Sequence, residues 1–253
     1  MRPHSSDSPG SPGVAMIDGG ADCSRLALQA GVPLVPREDP GEHDLLLEMA
    51  EGRLSLRNIG DKPGTGIRVD FRDPSLPSRA ELLKQPLVRS MGPVDGRLVD
   101  ATAGLGGDSF LLAVAGWSVL CIERDAIVAS LLADGIERAD KDPAIAGKLR
   151  GGLVSRHGDS IELLEAIEPV EVIYIDPMYP RDSSSTIGTK QMRLLRRLVG
   201  DDVDGPVLLE RARNRATSRV VVKRPPKAEP LGDGRVGSVA GKLARFDIHV
   251  PIG

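Results

Sequence analysis

The sequence predicts an α/β protein, a mostly parallel sheet with helices on both faces behind a small N-terminal α/β lobe. Three observations predict it. Residues 98–108 are a short apolar run ending in a carboxylate, then a glycine turn, and the helix-like segment 110–117 follows. Residues 118–122 repeat the apolar run and end at a second carboxylate, Glu123. Residues 170–175 do so again and run into Asp176-Pro177-Met178-Tyr179-Pro180. Strands that alternate with helices in this way pair in parallel, because each crossover helix returns the chain to the same end of the sheet.

Taken in order, residues 1–13 are rich in Ser, Pro and Gly and are expected to be a disordered tail. Residues 14–17 read as a strand, and 24–30 as a short helix with Ser24 as cap and Gly31 as stop. Residues 44–49 and 53–57 flank Glu51-Gly52 as a hairpin, and 67–71 read as one more strand. This lobe, 14–73, carries no catalytic constellation. Its first reading is a cover for one edge of the main domain, and its second is a grip on a large substrate.

Pro74 and Pro77 mark the connection to the main domain, 74–253. Residues 78–88 are expected to form one capped helix with Ala80, Leu83 and Leu87 on one side. One strand ends at Asp100 and the next at Glu123, and 126–138 form an apolar-faced helix. Residues 148–154 lead into 155–160 and a helix over 161–167. After the strand 170–175, residues 219–222 and 245–250 are the late strands.

Composition limits the function classes. The chain has 253 residues, 40% hydrophobic, 27% charged and only 2% aromatic, so its core is aliphatic. A formal charge of −3 gives no global attraction for nucleic acid, and any such surface must be local. Cys23 and Cys121 lie far apart in sequence, which reads as reduced thiols and a cytoplasmic protein. No apolar run reaches membrane-spanning length, the first residues lack the apolar core of a signal peptide, and no internal repeat is present.

In parallel sheets of this type ligands bind beyond the carboxyl ends of the strands, where Asp100, Glu123, Asp159 and Asp176 fall. Gly104, Gly106 and Gly107 allow the backbone to lie close against a ligand, and the helix start beyond them leaves N–H groups unpaired. Glu123, some 20 residues beyond the turn, is placed to bind two ribose hydroxyls. A dinucleotide site wants G-x-G-x-x-G, but Ser109 stands where the third glycine belongs. The order D-x-x-x-G-x-G, set by Asp100, Gly104 and Gly106, fits S-adenosyl-L-methionine (SAM) better, since an acid can serve its cationic amino-acid end.

The stretch 176–180 adds the reaction. Prolines on both sides of Met178-Tyr179 stiffen an acidic loop. Beside a methyl donor, such a loop suits an exocyclic base amine, a poor nucleophile whose lone pair is delocalised into the ring. Asp176 is the acceptor that holds the amine hydrogens, with the Pro177 and Met178 carbonyls as helpers, and Tyr179 stacks on the base. Downstream, Lys190, Arg193, Arg196, Arg197 and the arginines of 211–219 form a basic segment that suits phosphates. Residues 220–224 are a buried strand that delivers Lys223 and Arg224 to the same edge, to meet nucleic acid or the site's carboxylates. His157 reads as structural or as a pocket wall.

The motifs D-A-T-A-G-L-G-x-D from Asp100, Glu123-Arg124, Asp176-Pro177-Met178-Tyr179-Pro180, Gln191-Met192-Arg193, V-V-V-K-R-P from Val220 and R-F-D-I from Arg245 occur in this order in the RsmJ (YhiQ) family, which the chain resembles over 98–248. The resemblance implies a class I SAM-dependent methyltransferase with a seven-stranded sheet, acting on a guanine N2 of 16S ribosomal RNA, naked or in the 30S subunit. It implies cofactor contacts at Gly107, Asp108, Glu123, Arg124, Asp159, Ser160 and Asp176. Asp100 and the glycine loop then hold the methionine end, Glu123 the ribose, and Asp159 and Ser160 the adenine edge. RNA contacts fall to Lys190, Arg193, Lys223 and Arg224. No metal and no membrane are implied, and the oligomeric state is not readable. Gly107 stands where the family usually has arginine, and Tyr179 where it has phenylalanine. Rival readings are an adenine-N6 methyltransferase, disfavoured by Met178, and a SAM-binding ribosome assembly factor without catalysis. A dehydrogenase is last, for want of the third glycine.

Overall fold

The computed structural model describes residues 12–94, 96–177, 190–200 and 204–252. Packing groups them into two units. The first contains β1 (Val14–Ile17), α1 (Ala21–Ala30), β2 (Leu34–Val35), β3 (Leu45–Ala50) and β4 (Arg53–Asn58). Its sheet has the order β2-β1-β3-β4, with β1 parallel to both neighbours and β3-β4 an antiparallel hairpin. Glu51 and Gly52 both take left-handed φ, 53° and 69°, the turn whose twist matches a two-residue hairpin. Helix α1 starts three residues before the expected Ser24 cap. Gly20 is its N-cap and offers no side-chain bond, while Gly31 ends it in the left-handed region as expected.

The second unit opens with α2 (Arg79–Leu82) and α3 (Pro86–Ser90), where one helix over 78–88 was expected. Ser78 caps α2 through a reciprocal bond with Glu81. Pro86 then forces Gln85 into an extended conformation, φ −70° and ψ 143°, and breaks the run. There follow β5 (Arg97–Asp100), α4 (Gly107–Ala115), β6 (Ser118–Glu123), α5 (Ala126–Lys141), α6 (Pro143–Ala146), β7 (Leu153–His157), α7 (Ser160–Ala166) and β8 (Val170–Ile175). Next in the chain comes α8 (Lys190–Val199), which packs with the first unit, where Arg197 pairs with Asp44. The chain resumes in the second unit with α9 (Gly205–Arg215), β9 (Ala216–Arg224), β10 (Arg235–Ala240) and β11 (Arg245–His249).

The expected strand over 67–71 does not form. Ile67 makes one bridge to Leu56, and the residues after it run along α5. Arg138 of α5 donates to the Val69 carbonyl, and a Cβ on Gly135 would lie 2.2 Å from Val69 Cγ1. The groove left by that glycine takes the segment in place of a strand partner. Packing divides the chain at 67/68, ahead of the expected boundary at 73/74, and assigns α8 to the first unit.

The main sheet has seven strands in the order β10-β11-β9-β8-β5-β6-β7. β7, β6, β5, β8 and β9 are parallel, and β11 runs antiparallel between β9 and β10. This is the class I methyltransferase topology. β5 lies centrally, the chain winds outward to β7, and it returns on the other side at β8. Strand order therefore reverses between β5 and β8, which is where such sheets bind ligands. Val99, Ile122, Ile173, Ile175, Val220 and Val222 point to one face, where they form a core with Leu164 of α7 and with Leu208 and Ala212 of α9. Each such side chain contributes about 1.5–3 kcal/mol by leaving water. Successive residues of a strand face opposite sides, so Asp100, Cys121, Tyr174 and Lys223 share the other face. Among the described residues no helix is long and apolar enough to cross a membrane.

Candidate active site

The site lies at the switch point, and side-chain parity assembles it. Asp100 pairs in register with Tyr174 and with Cys121, and Tyr174 pairs with Val221, two residues before Lys223. All face α4, whose first turn supplies Asp108 and Ser109.

Asp100 ends β5, but it is buried beneath the loop. It is 2% exposed, accepts a bond from Ser109 Oγ and takes the Thr102 N–H at 3.1 Å. Burial pushes its carboxyl up to about 7, against the pull of the Ser109 and Thr102 bonds. Above Asp100, the Ala101 N–H bonds to Tyr174, the Ala103 N–H to Ile122 and the Gly106 N–H to Ala103. Gly104 and Gly106 both have left-handed φ, 55° and 76°, and a Cβ on Gly106 would come within 2.5 Å of Leu132. Gly107 has neither property, so the fold does not require glycine there.

Glu123 ends β6, with Oε2 accepting the Gly104 N–H and Oε1 the Asp125 N–H, both at 2.8 Å. Burial raises its carboxyl, although these two bonds oppose the shift. The acid expected to meet hydroxyls thus also holds the glycine loop. Arg124 pairs with Asp204 at 3.1 Å, and the exposed His157 ring lies 3.1 Å from the Arg124 carbonyl. His157 therefore supports the backbone at the tip of β6. Asp159 caps α7 through the Ile161 N–H at 2.7 Å, and Ser160 donates to the Ala101 carbonyl at 2.6 Å. Asp176 follows β8, and its N–H is fixed by Thr102 Oγ1 at 2.6 Å. Lys223 Nζ donates to Asp108 Oδ2 and to Asp176 Oδ2, each at 2.9 Å. Of the two expected partners of Lys223, the structure gives the carboxylates. Arg224 turns to the Glu229 carbonyl.

Asp100, Asp108, Glu123, Ser160, Asp176 and Lys223 thus form one connected edge. Arg193 is exposed on α8 in the first unit, and Lys190 opens that helix. Met178 and Tyr179 lie outside the described residues.

A family of SAM-dependent methyltransferases matches residues 33–251. A ribosomal RNA small subunit methyltransferase J from Thioalkalivibrio sulfidiphilus is 42% identical over 235 residues, covering 89% of this chain and 91% of the relative. The protein of that name from Pseudomonas aeruginosa is 39% identical over 243 residues, covering 90% and 91%. The chain belongs to the ribosomal RNA small subunit methyltransferase J family. A solved SAM-dependent methyltransferase from Neisseria gonorrhoeae is similar with 32% identity and a TM-score of 0.70, covering 95% of this chain and 97% of that one.

The donor set fits the cofactor of the methyltransferase J family. A ligand with vicinal hydroxyls, an ammonium and a sulfonium asks for acceptors, and this edge of the sheet offers Glu123 after β6, Asp159 before α7, and Asp108 and Asp176 on either side of Lys223. Three connecting residues escaped the sequence reading. Thr102 fixes Asp176, Ser109 fixes Asp100, and Tyr174 OH donates to Asp108 Oδ2 at 2.6 Å. Tyr174 had a usable signal, since it is the polar ring of an apolar strand and stands two residues before Asp176. Burial, with the charges of Asp176 and Asp108, raises its hydroxyl well above the usual tyrosine range, so it remains a donor.

Proposed function

We propose that this chain methylates the exocyclic N2 amine of a guanosine in small-subunit ribosomal RNA, in the cytoplasm. The observation that carries the reading is the Asp176 carboxylate at the switch point. Its backbone is fixed by the glycine-loop residue Thr102, and its side chain is bonded by Lys223. The names of relatives that match about nine-tenths of this chain support ribosomal RNA as the substrate. Two free, buried cysteines suit a reducing compartment.

When bound, SAM supplies an electrophilic methyl group. Glu123 holds ribose hydroxyls, and Asp159 and Ser160 border the adenine. Asp108 and the glycine loop hold the methionine end. Asp100 supports that loop from beneath and does not touch the ligand. Asp176 accepts hydrogen bonds from the target amine and orients its lone pair, and the proton leaves after the methyl arrives. Tyr179 stacks on the extruded base, an assignment from its sequence position beside Asp176. Lys190, Arg193 and Arg224 meet phosphates.

The test is transfer of labelled methyl from SAM to small-subunit RNA and to assembled small subunits, both from cells lacking the modification, with large-subunit RNA as control. The expected outcome is transfer to the small-subunit material alone. Equal labelling of the control, or none with SAM binding intact, refutes the substrate assignment.

A further inference from the structure

Asp108 and Asp176 belong to different elements, the first turn of α4 and the end of β8, yet they share one cation. Lys223 Nζ lies 2.9 Å from each carboxylate, and Tyr174 OH donates to the same Asp108 oxygen that the lysine bonds. Lys223 is 30% exposed at its side chain, so the ammonium sits at the floor of the edge with its stem along the sheet. Burial alone would lower its pKa, but the charges of Asp176 and Asp108 outweigh burial and raise it, so it stays charged. Arg224, the next residue, turns to the Glu229 carbonyl, and β11 brings the uncharged Phe246 opposite Lys223. Asp100 of β5 also faces this cluster.

We propose that Lys223 is a positioning residue for methyl transfer. It ties the helix of the cofactor loop to the carboxylate that receives the target amine, and it holds that carboxylate ionised. The proposal rests on the reading of Asp176 as the amine acceptor.

The chemistry requires such a group. Only an ionised carboxylate accepts at both oxygens, whereas a protonated one presents a donor. Two carboxylates converging on one point without a cation repel, and one of them gains affinity for a proton. An ammonium has three donors, so one lysine can serve both acids from a single point. The same geometry argues against a phosphate-binding role, because a phosphate would have to draw the ammonium out from between two carboxylates.

The experiment measures single-turnover methyl transfer by the full chain to undermethylated small-subunit RNA, from about pH 3.5 to about pH 9, a range that starts below the ~3.9 of an ordinary aspartate. The variants are Lys223→Met, Lys223→Arg and Asp176→Asn. In Lys223→Met the acid limb of the rate profile should move up by about one pH unit or more, since a carboxylate losing an opposite charge within 4–6 Å shifts by about 1–3 units. Its rate near neutrality should fall about tenfold, with SAM affinity changed less than the rate. Lys223→Arg keeps the charge and should leave the limb in place at a reduced rate. A Lys223→Met profile lowered equally at every pH, or a limb that moves in Lys223→Arg, overturns the proposal. The arginine arm stands alone if the methionine variant does not fold. Asp176→Asn separates the two readings. If it is inactive while the Lys223→Met limb is unmoved, only the role of Lys223 falls. If it turns over normally, the amine-acceptor reading falls and the proposal with it.

Discussion

Replacing Asp100 by asparagine tests whether this residue is a buried support or a ligand group. Asp100 is 2% exposed, and burial lifts its carboxyl from 3.8 to about 7. Between those values the folded chain binds a proton that the unfolded chain has released. Stability therefore falls as pH rises through this window and is level above it. At about 1.4 kcal/mol per pH unit, the loss between pH 5 and pH 8 is ~2–3 kcal/mol. Asparagine does not titrate, and it keeps both contacts. Its amide oxygen takes the Thr102 N–H, and its amide nitrogen donates to the Ser109 hydroxyl, which can accept as well as donate.

The stability gap between Asp100→Asn and the natural chain should therefore move by ~2–3 kcal/mol in favour of asparagine from pH 5 to pH 8. Glu123, whose carboxyl is also raised, is common to both chains and cancels in the difference. Urea unfolding at several pH values reads this gap through Trp117, the one tryptophan of the sequence, 2% exposed in the same unit. A gap constant to within about 0.5 kcal/mol over this range refutes the buried-support assignment. So does a loss of SAM affinity of about 100-fold or more, which would imply direct contact with the ligand.

Three further outcomes follow from the geometry. Gly106→Ala forces a side chain into left-handed backbone and against Leu132, and should lower stability by about 1–3 kcal/mol and weaken SAM binding, as read by thermal unfolding and calorimetry. Gly107→Ala, with ordinary φ and open space, should change stability by no more than about 0.5 kcal/mol in the same assays. Asp247→Ala should cost about 3–5 kcal/mol in urea unfolding, because that fully buried carboxylate holds Arg235 and Arg245, both at 2.8 Å.

What could be read in advance was what local chemistry decides. Asp100 and Glu123 end their strands and Asp176 follows its own as expected, because each apolar run gives way there to a turn or a proline. The Glu51-Gly52 hairpin was equally readable, since its turn needs two left-handed residues. Tertiary contacts decided the rest. Residues 67–71 have a strand-like pattern, but the notch at Gly135 takes them instead. β10 went unread because its residues are exposed or half-buried, with a glycine in their midst, so no apolar alternation marks it. The same limit held within the site. Lys223 and Asp108 are 115 positions apart, and the choice between phosphate and carboxylate partners for that lysine depends on how β9 and α4 pack. Spacing places Asp100 at the strand end, but it cannot distinguish a carboxylate facing the cleft from one buried under the loop, where Ser109 bonds it.

The identity of the methylated nucleoside decides which base amine this chain modifies. Small-subunit RNA labelled by this chain from radioactive SAM would be digested to nucleosides and separated. The label should appear in N2-methylguanosine and should be lost in Asp176→Ala while SAM still binds. Label in N6-methyladenosine would contradict the guanine assignment, and label undiminished in Asp176→Ala would contradict the mechanism.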